Sequence, residues 1–495
     1  MSATTLLQTQ ATPAETTGAS SIDKEAISLE NAEITSSRHP LRVKPSGNEL
    51  TLGVSQICAQ GFMGFFGRLP GALLLEVLEY LDSQALVALG STCRGLYAYS
   101  AHDKLWRDIG VNTTRDYEWR GSFRASLRGL PSARLANVDC SSLFSDALYQ
   151  PFLCSQISLT PYVSNIPRQN EIVRLADLSP AQFNDSWVDK PFILTHPVKT
   201  WKVFELWDEA YLLSKYGDVS FVCESVNWPL EKYVKYMNTS QDESPLYLFD
   251  QGFVEKMGLQ VGSKDETVHN AYEPPLAFQE DLFTLLKDQR PDHRWLIVGP
   301  KNSGSTFHKD PNATSAWNAV IRGSKYWIMF PNSILPPGVY MSEDQSEVTS
   351  PLSIAEWLIG FHAEARQTTG CVEGICWEGE VLHVPSGWWH LVVNLESAIA
   401  ITQNFVPRAH VGSAIRFLRE KPDQVSGFKD DVKDPYGLFM ERLRQSYPDI
   451  AESVDERDNR KRKWEEVVAD HDKADGERQG FSFGFGDGDD YDDTE

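Results

Sequence analysis

From Ile172 to Phe405 the chain is cut into short β-rich runs. Phe192-Ile193-Leu194, Val219-Ser220-Phe221-Val222, Leu246-Tyr247-Leu248-Phe249 and Trp295-Leu296-Ile297-Val298 are separated by Pro, Gly and Asn-Ser steps. Runs of this length cannot form long helices, and short strands must share a closed or layered core to survive in water, so the stretch predicts a β-sandwich or barrel. Two further pairs read as hairpins. Ala316–Ile321 and Lys325–Phe330 flank Arg322-Gly323-Ser324, while Leu391–Asn394 and Ala398–Ile401 flank Leu395-Glu396-Ser397. A turn centred on Glu396 sets His390 opposite Thr402, a pairing that a one-residue slip would destroy.

The flanks differ in texture. Residues 1–60 are rich in Thr, Ser, Ala and Gln without sustained apolar period, and are expected to be a disordered arm. From Leu69, Leu74, Val77, Leu78 and Leu81 form one apolar stripe at helical spacing after Pro70. A second stripe, Leu86, Leu89, Cys93 and Leu96, follows an Asp82 or Ser83 cap, and a third centres on Leu105, Trp106 and Ile109. Three short helices therefore make a module at 61–110. A mixed connecting segment spans 111–170, the β-rich domain 171–410, C-terminal helices 411–448, and a charged, Gly-rich disordered tail 449–495. Within that tail Arg460-Lys461-Arg462-Lys463 reads either as a nuclear import signal or as a solvated helix face.

Composition sets outer limits. Hydrophobic residues make up 41 % of 495 residues, which rules out global disorder. The formal net charge of −23 repels a phosphate backbone, disfavouring nucleic acid as a partner. No apolar run reaches the ~18 residues a spanning helix needs, and the first thirty residues carry Glu15, Asp23, Lys24 and Glu25 in place of a signal peptide's apolar core. Seven scattered cysteines without Cys-x-x-Cys argue against a disulfide scaffold or zinc finger. A reducing interior, with the nucleus as the favoured compartment, is the expected location.

The chemistry lies between Gly299 and Phe405. His308-Lys309-Asp310-Pro311 offers an imidazole and a carboxylate two residues apart, on one face of a strand. By itself His-x-Asp is more often a surface turn. A second histidine, His390 in Gly387-Trp388-Trp389-His390, would complete two nitrogens and one oxygen on one side of an ion, the facial triad of non-haem Fe(II) oxygenases. If the Glu396 turn holds, the Thr402 hydroxyl lies beside the metal, and Lys325 supplies a positive charge for an anionic cosubstrate. His383 is expected to be structural, Cys371 and Cys376 to be buried thiols, and Trp388 and Trp389 to belong to the core; His293 and His362 receive no role.

Two resemblances sharpen this reading. Leu69-Pro70, Leu74 through Leu81, Cys93-Arg94 and Leu105-Trp106-Arg107 resemble the F-box, which implies docking on the Skp-type adaptor of a cullin ubiquitin ligase through the surface around Leu69, Pro70 and Leu74. Ser244 through Asp250, His308 through Ala319 and Val384 through Phe405 resemble the JmjC (Jumonji C) oxygenases, most nearly the phosphatidylserine-receptor-type lysyl hydroxylase branch. That resemblance implies an α+β multidomain chain in which the F-box precedes a double-stranded β-helix, a jelly-roll or cupin-like barrel, followed by C-terminal helices. It also implies Fe(II) held by His308, Asp310 and His390, with O2 as oxidant. Asn318, Lys325, Thr402 and Tyr247 would contact 2-oxoglutarate. The implied activity is hydroxylation of a protein side chain, lysine preferred, or removal of an N-methyl group. The alternative is a ligase substrate receptor whose barrel is chemically idle, and hydroxylation of a nucleic-acid base is a third. An F-box ahead of the oxygenase differs from the chromatin demethylases that carry it near the C-terminus, which weakens transfer of histone demethylation.

Overall fold

The computed structural model describes residues 38–47, 61–263, 269–342, 348–349 and 352–454. The described residues form two compact units, one made of those up to Gln279 with Arg294–Asp310 and Ser315–Asn404, the other of Glu280–His293 with Pro311–Thr314 and those from Phe405 onward.

In the first unit two sheets face each other. The larger runs Val173–Leu175, Phe192–Leu194, Val381–Val384, Ser315–Arg322, Ala398–Phe405, Arg294–Gly299 and Leu248–Asp250, and the smaller Val372–Trp377, Ser324–Phe330, Trp389–Asn394 and Gly304–His308. Alternation divides their side chains. Ala316, Val320, Leu382 and Val384 of the large sheet meet Trp327, Met329 and Cys376 of the small one in one buried cluster. Tyr326, Ile328, Phe330, Leu391 and Val393 point the other way, packing with Trp357 and Leu358 of helix Ile354–Gln367. A helix over the outer face is why Ser324–Phe330 is buried along its whole length.

Both expected hairpins prove to be crossings between sheets. Ser315–Arg322 pairs with Val381–Val384 in one sheet, and Ser324–Phe330 pairs with Val372–Trp377 and Trp389–Asn394 in the other. Likewise Trp389–Asn394 and Ala398–Phe405 lie in different sheets, so His390 stands opposite His308 and Met329, and Thr402 opposite Trp295. Gly323 forms the first corner at φ +79°, where a Cβ would lie 2.4 Å from Ser397 O and 3.0 Å from Ala398 Cα. The corners therefore pack backbone against backbone. A short turn between apolar runs looks the same in sequence whether it reverses a strand or carries it across the core.

After the 3-10 segment Gly61–Arg68, the helical module has four α-helices, Gly71–Glu79, Ser83–Gly90, Arg94–Ser100 and Asp103–Asn112, one more than the stripes predict. Asp82 caps the second, its Oδ1 accepting from Ala85 N at 2.8 Å. Leu74 and Leu78 are fully buried, whereas Leu73, Val77 and Tyr80 are 43 %, 40 % and 91 % exposed. This corrects the docking surface: Leu74 is core. In a helix reading Gly-Ala-Leu-Leu-Leu-Glu-Val-Leu-Glu, several overlapping stripes compete, and packing rather than spacing selects the inward one. Residues 38–47, within the span read as an arm, are also packed. Leu41 and Val43 are buried and Lys44 bridges to Phe144.

The second unit gathers Leu282, Phe283 and Leu286 against Val411, Ile415 and Leu418 of helix Val411–Glu420 and Phe439, Met440 and Leu443 of helix Pro435–Ser446. Asp281 ties it together, accepting from the Phe283 and Val406 amides, each at 3.1 Å, and pairing with Arg290. Helical backbone continues to residue 454 with Ala451 buried, into the span read as tail. The Arg460–Lys463 tetrad lies outside the described residues.

Gly323→Ala tests the corner. Adding a methyl against backbone, at a left-handed φ, should destabilise the fold by at least ~2 kcal/mol. Calorimetric melting of the purified chain should show a midpoint lowered by several degrees, while Gly360→Ala, with open space around its Cβ, should not lower it.

Candidate metal centre

His308 closes its strand, and Asp310 follows two residues later, just past the strand end. Antiparallel register sets His390 directly opposite His308, with ring centroids 4.1 Å apart. One donor atom from each of His308, Asp310 and His390 lies within 4.8 Å of the others. Each imidazole is oriented by its own strand: His308 Nδ1 is 2.8 Å from Thr306 O and His390 Nδ1 is 3.1 Å from Trp388 O. A carbonyl only accepts, so each Nδ1 carries the proton and leaves an Nε2 lone pair for a ligand.

The electrostatics agree. Burial, followed by the neighbouring His308, drives the His390 pKa well below its ordinary value, so this ring stays neutral. Burial lifts the Asp310 carboxyl to about 6, against the opposing effects of His308 and a hydrogen bond from Asn404. Asp310 is partly exposed as a residue, yet its Oδ2 is shut off from solvent with no hydrogen-bond partner. A buried carboxylate oxygen without a donor is costly. A divalent cation between two imidazole nitrogens and this oxygen removes that cost, and the donor set matches a facial triad.

Comparison with known proteins agrees with this geometry. The description "Cupin-like domain" matches residues 181–410, and "F-box-like" matches 66–112. The chain is 36 % identical over 436 residues to the Arabidopsis thaliana arginine-specific demethylase JMJ22, covering 85 % of this chain and 84 % of that one. The chain belongs to the cupin-like JmjC family. Other relatives are the Arabidopsis thaliana lysine-specific demethylase JMJ21, 30 % identical over 71 % of this chain and 38 % of that one, and the Caenorhabditis elegans bifunctional arginine demethylase and lysyl-hydroxylase psr-1, 34 % identical over 43 % of this chain and 55 % of that one.

This JmjC barrel also holds polar groups that suit a dicarboxylic cosubstrate. Lys325 is 3 % exposed; its Nζ donates to Asn394 Oδ1 at 2.7 Å, and it makes no ion pair among the described residues. Burial lowers its pKa to about 8. A buried ammonium without a carboxylate awaits an anion. Asn318 is buried on the strand facing the small sheet, and its Oδ1 has no partner. Tyr247 OH lies 2.6 Å from Ser305 Oγ on the His308 strand. Thr402 is not opposite His390 as expected. Its Oγ1 donates to Trp317 O at 2.9 Å, two residues before the Asn404 that supports Asp310.

Asn394 and Asn404 are the functional residues that sequence reasoning missed. Asn394 lies four residues after His390 and Asn404 two after Thr402, so period-two alternation already puts each on the face of a predicted site residue. Asn394 is itself anchored, its Nδ2 donating to Ser303 Oγ at 2.9 Å. His383 is fully buried in the large sheet among Phe183, Phe192 and Phe278, with Nδ1 3.1 Å from Lys190 O, which fits its structural reading. His362 bonds Tyr326 OH at 2.9 Å outside the site. Burial raises both the Cys371 and Cys376 thiols, so they stay protonated.

Calorimetric titration with Mn(II) should show Asp310→Ala binding more than ~100-fold more weakly than the wild type. Asn404→Ala, which removes only the support of the ligand, should weaken it about tenfold.

Proposed function

We propose that this chain is an Fe(II)- and 2-oxoglutarate-dependent hydroxylase of protein side chains, with His308, Asp310 and His390 as the metal ligands. The observation that carries this is the unpartnered Asp310 Oδ2 enclosed beside two Nε2 lone pairs, in the same barrel as an ammonium without a counter-ion. When bound, iron and 2-oxoglutarate supply the oxidation, in which O2 and the 2-oxo acid yield succinate, carbon dioxide and a hydroxylated C–H position on the substrate.

The residues do the rest. Two imidazoles fixed by their own backbone carbonyls, with one carboxylate, would hold the ion. Lys325 and His390 sit four residues apart along paired strands, since Asn394 faces Lys325 and His390 faces Met329. That is ~13 Å between backbones, a span suited to a five-carbon diacid together with a lysine side chain. Lys325 would hold the distal carboxylate, helped by Thr402 and Tyr247, with Asn318, whose buried Oδ1 has no partner, as a further polar contact.

The substrate read here is a lysine side chain or an N-methylated basic side chain. Hydroxylation at a methyl carbon gives an unstable carbinol that releases formaldehyde, so one site serves both outcomes. Relatives that include an arginine demethylase and a bifunctional demethylase and lysyl-hydroxylase support this class. The F-box-like module reads as a docking site for a Skp-type adaptor. Half-buried Leu69, exposed Pro70, and Leu73, Val77 and Tyr80 beyond them form the apolar face available to it.

Purified protein with Fe(II), ascorbate and 2-oxoglutarate should form succinate, and His308→Ala should not; equal background from both would leave an idle receptor as the better account. Lys325 gives a pH signature. Its ammonium is charged below about 8 and lost above, so 2-oxoglutarate affinity should fall up to about tenfold per pH unit beyond that point. Anaerobic titration of the Mn(II)-loaded chain measures this, and a flat profile would count against Lys325. Val77→Asp should abolish adaptor co-purification and leave succinate formation unchanged.

A further inference from the structure

The helical module is not tethered to the barrel by a free linker. Helix Asp103–Asn112 sends Arg107 across to the loop that delivers Tyr247. Arg107 Nη1 donates to Ser244 O at 2.6 Å, and its guanidinium lies 3.5 Å from Glu224 Oε2 and 4.0 Å from Asp242 Oδ2. Glu224 in turn accepts from the Tyr247 amide, Oε1 to N, at 3.2 Å. Burial raises the pKa of both Glu224 and Asp242, and Arg107 is the cation that opposes the rise in each.

The same loop is held on its other side by the barrel's own residues. Tyr236 OH accepts from Leu246 N at 2.7 Å and donates to Asp242 Oδ2 at 2.8 Å, and Tyr233 OH accepts from Leu248 N at 3.1 Å. Tyr247 thus sits between amides fixed by the barrel and an amide fixed, through Glu224, by the helical module. Beyond it, the phenol reaches Ser305 on the strand that ends at His308. A continuous chain of direct contacts therefore runs from the module to the pocket. The connecting segment that follows the module packs beside this chain: Trp119 Nε1 donates to Thr239 Oγ1 at 2.8 Å, and Trp119 and Phe123 contact Trp228 and Tyr236 edge-on or tilted.

We infer that Arg107, a residue of the F-box-like module, positions Tyr247 in the 2-oxoglutarate site, making the module a structural part of the oxygenase. The inference rests on Tyr247 contacting 2-oxoglutarate, as read above. Arg107 touches no reacting atom; it acts through Glu224 and the Ser244–Tyr247 backbone.

The test is a double-mutant cycle on the full chain, loaded with Mn(II) under nitrogen and titrated with 2-oxoglutarate. Arg107→Met should raise the 2-oxoglutarate Kd roughly five- to tenfold while leaving the Mn(II) Kd unchanged. In a Tyr247→Phe background the same change should add nothing, because the group it positions is gone. Arg107→Lys should recover part of the loss. Should Arg107→Met not fold, Glu224→Gln, which keeps an oxygen for the Tyr247 amide but drops the charge, takes its place with the same expected pattern. Equal weakening in both backgrounds would mark a general structural effect and overturn the proposal, as would a wild-type Kd for Arg107→Met. A wild-type Kd for Tyr247→Phe would remove Tyr247 from the cosubstrate site and this proposal with it, leaving the metal ligands, read out by Mn(II) binding, untouched.

Discussion

A carboxylate oxygen sealed from water beside two imidazoles is the arrangement on which this molecule's chemistry turns. Left alone, Asp310 Oδ2 lacks a hydrogen bond that a buried oxygen needs. Keeping such a group in place requires a scaffold that cannot relax around it. Register supplies this: His390 faces His308 across neighbouring strands, and the outer side of those strands is filled by Phe307, Trp357, Trp389 and Leu391. Movement that relieved Asp310 would have to break that packing.

The architecture that gives such rigidity was only half legible in the sequence. Short β-rich runs between turn residues were enough to predict a layered β fold, and period-two alternation paired His308 with Asp310, which the structure brings within 4.8 Å of His390. What alternation could not supply was partnership. The Gly323 and Glu396 turns look like hairpin turns because both flanks are apolar, yet full apolarity is also what a strand shows when a second sheet covers one face and a helix the other. Pairing across the two sheets is a long-range choice, and Thr402 was misplaced for that reason alone. Its membership of the inward face, fixed by parity along Ala398–Phe405, survived the error in register.

The helical module shows the complementary limit. Capping at Asp82 and the existence of helices from Leu69 onward follow from local chemistry and were readable. Which leucine points inward was not, since Leu73, Leu74 and Leu75 are adjacent and helical spacing admits more than one stripe. Leu74 and Leu78 won because they meet the rest of the module's core, and this leaves Leu73, Val77 and Tyr80 outside. Asn394 and Asn404 went unnoticed for a different reason: amides have no distinctive spacing, and their value lies in the charged group each one touches.

Lys325 and Asp310 raise a final physical question, since a buried cation and a buried anion in one barrel ought to neutralise each other. Strand geometry prevents it. Lys325 is bound to Asn394, and its backbone lies four residues, ~13 Å along the strand, from the level of His390, so the two groups are rooted at different levels of the barrel. Removing a charge from water costs several kcal/mol, and Lys325, buried in the barrel, makes no ion pair among the described residues to offset that cost. Each therefore keeps its appetite for a ligand of opposite sign, a divalent cation at one end and a carboxylate at the other. A diacid that also chelates the metal satisfies both at once, which neither an isolated metal nor a simple monocarboxylate can do.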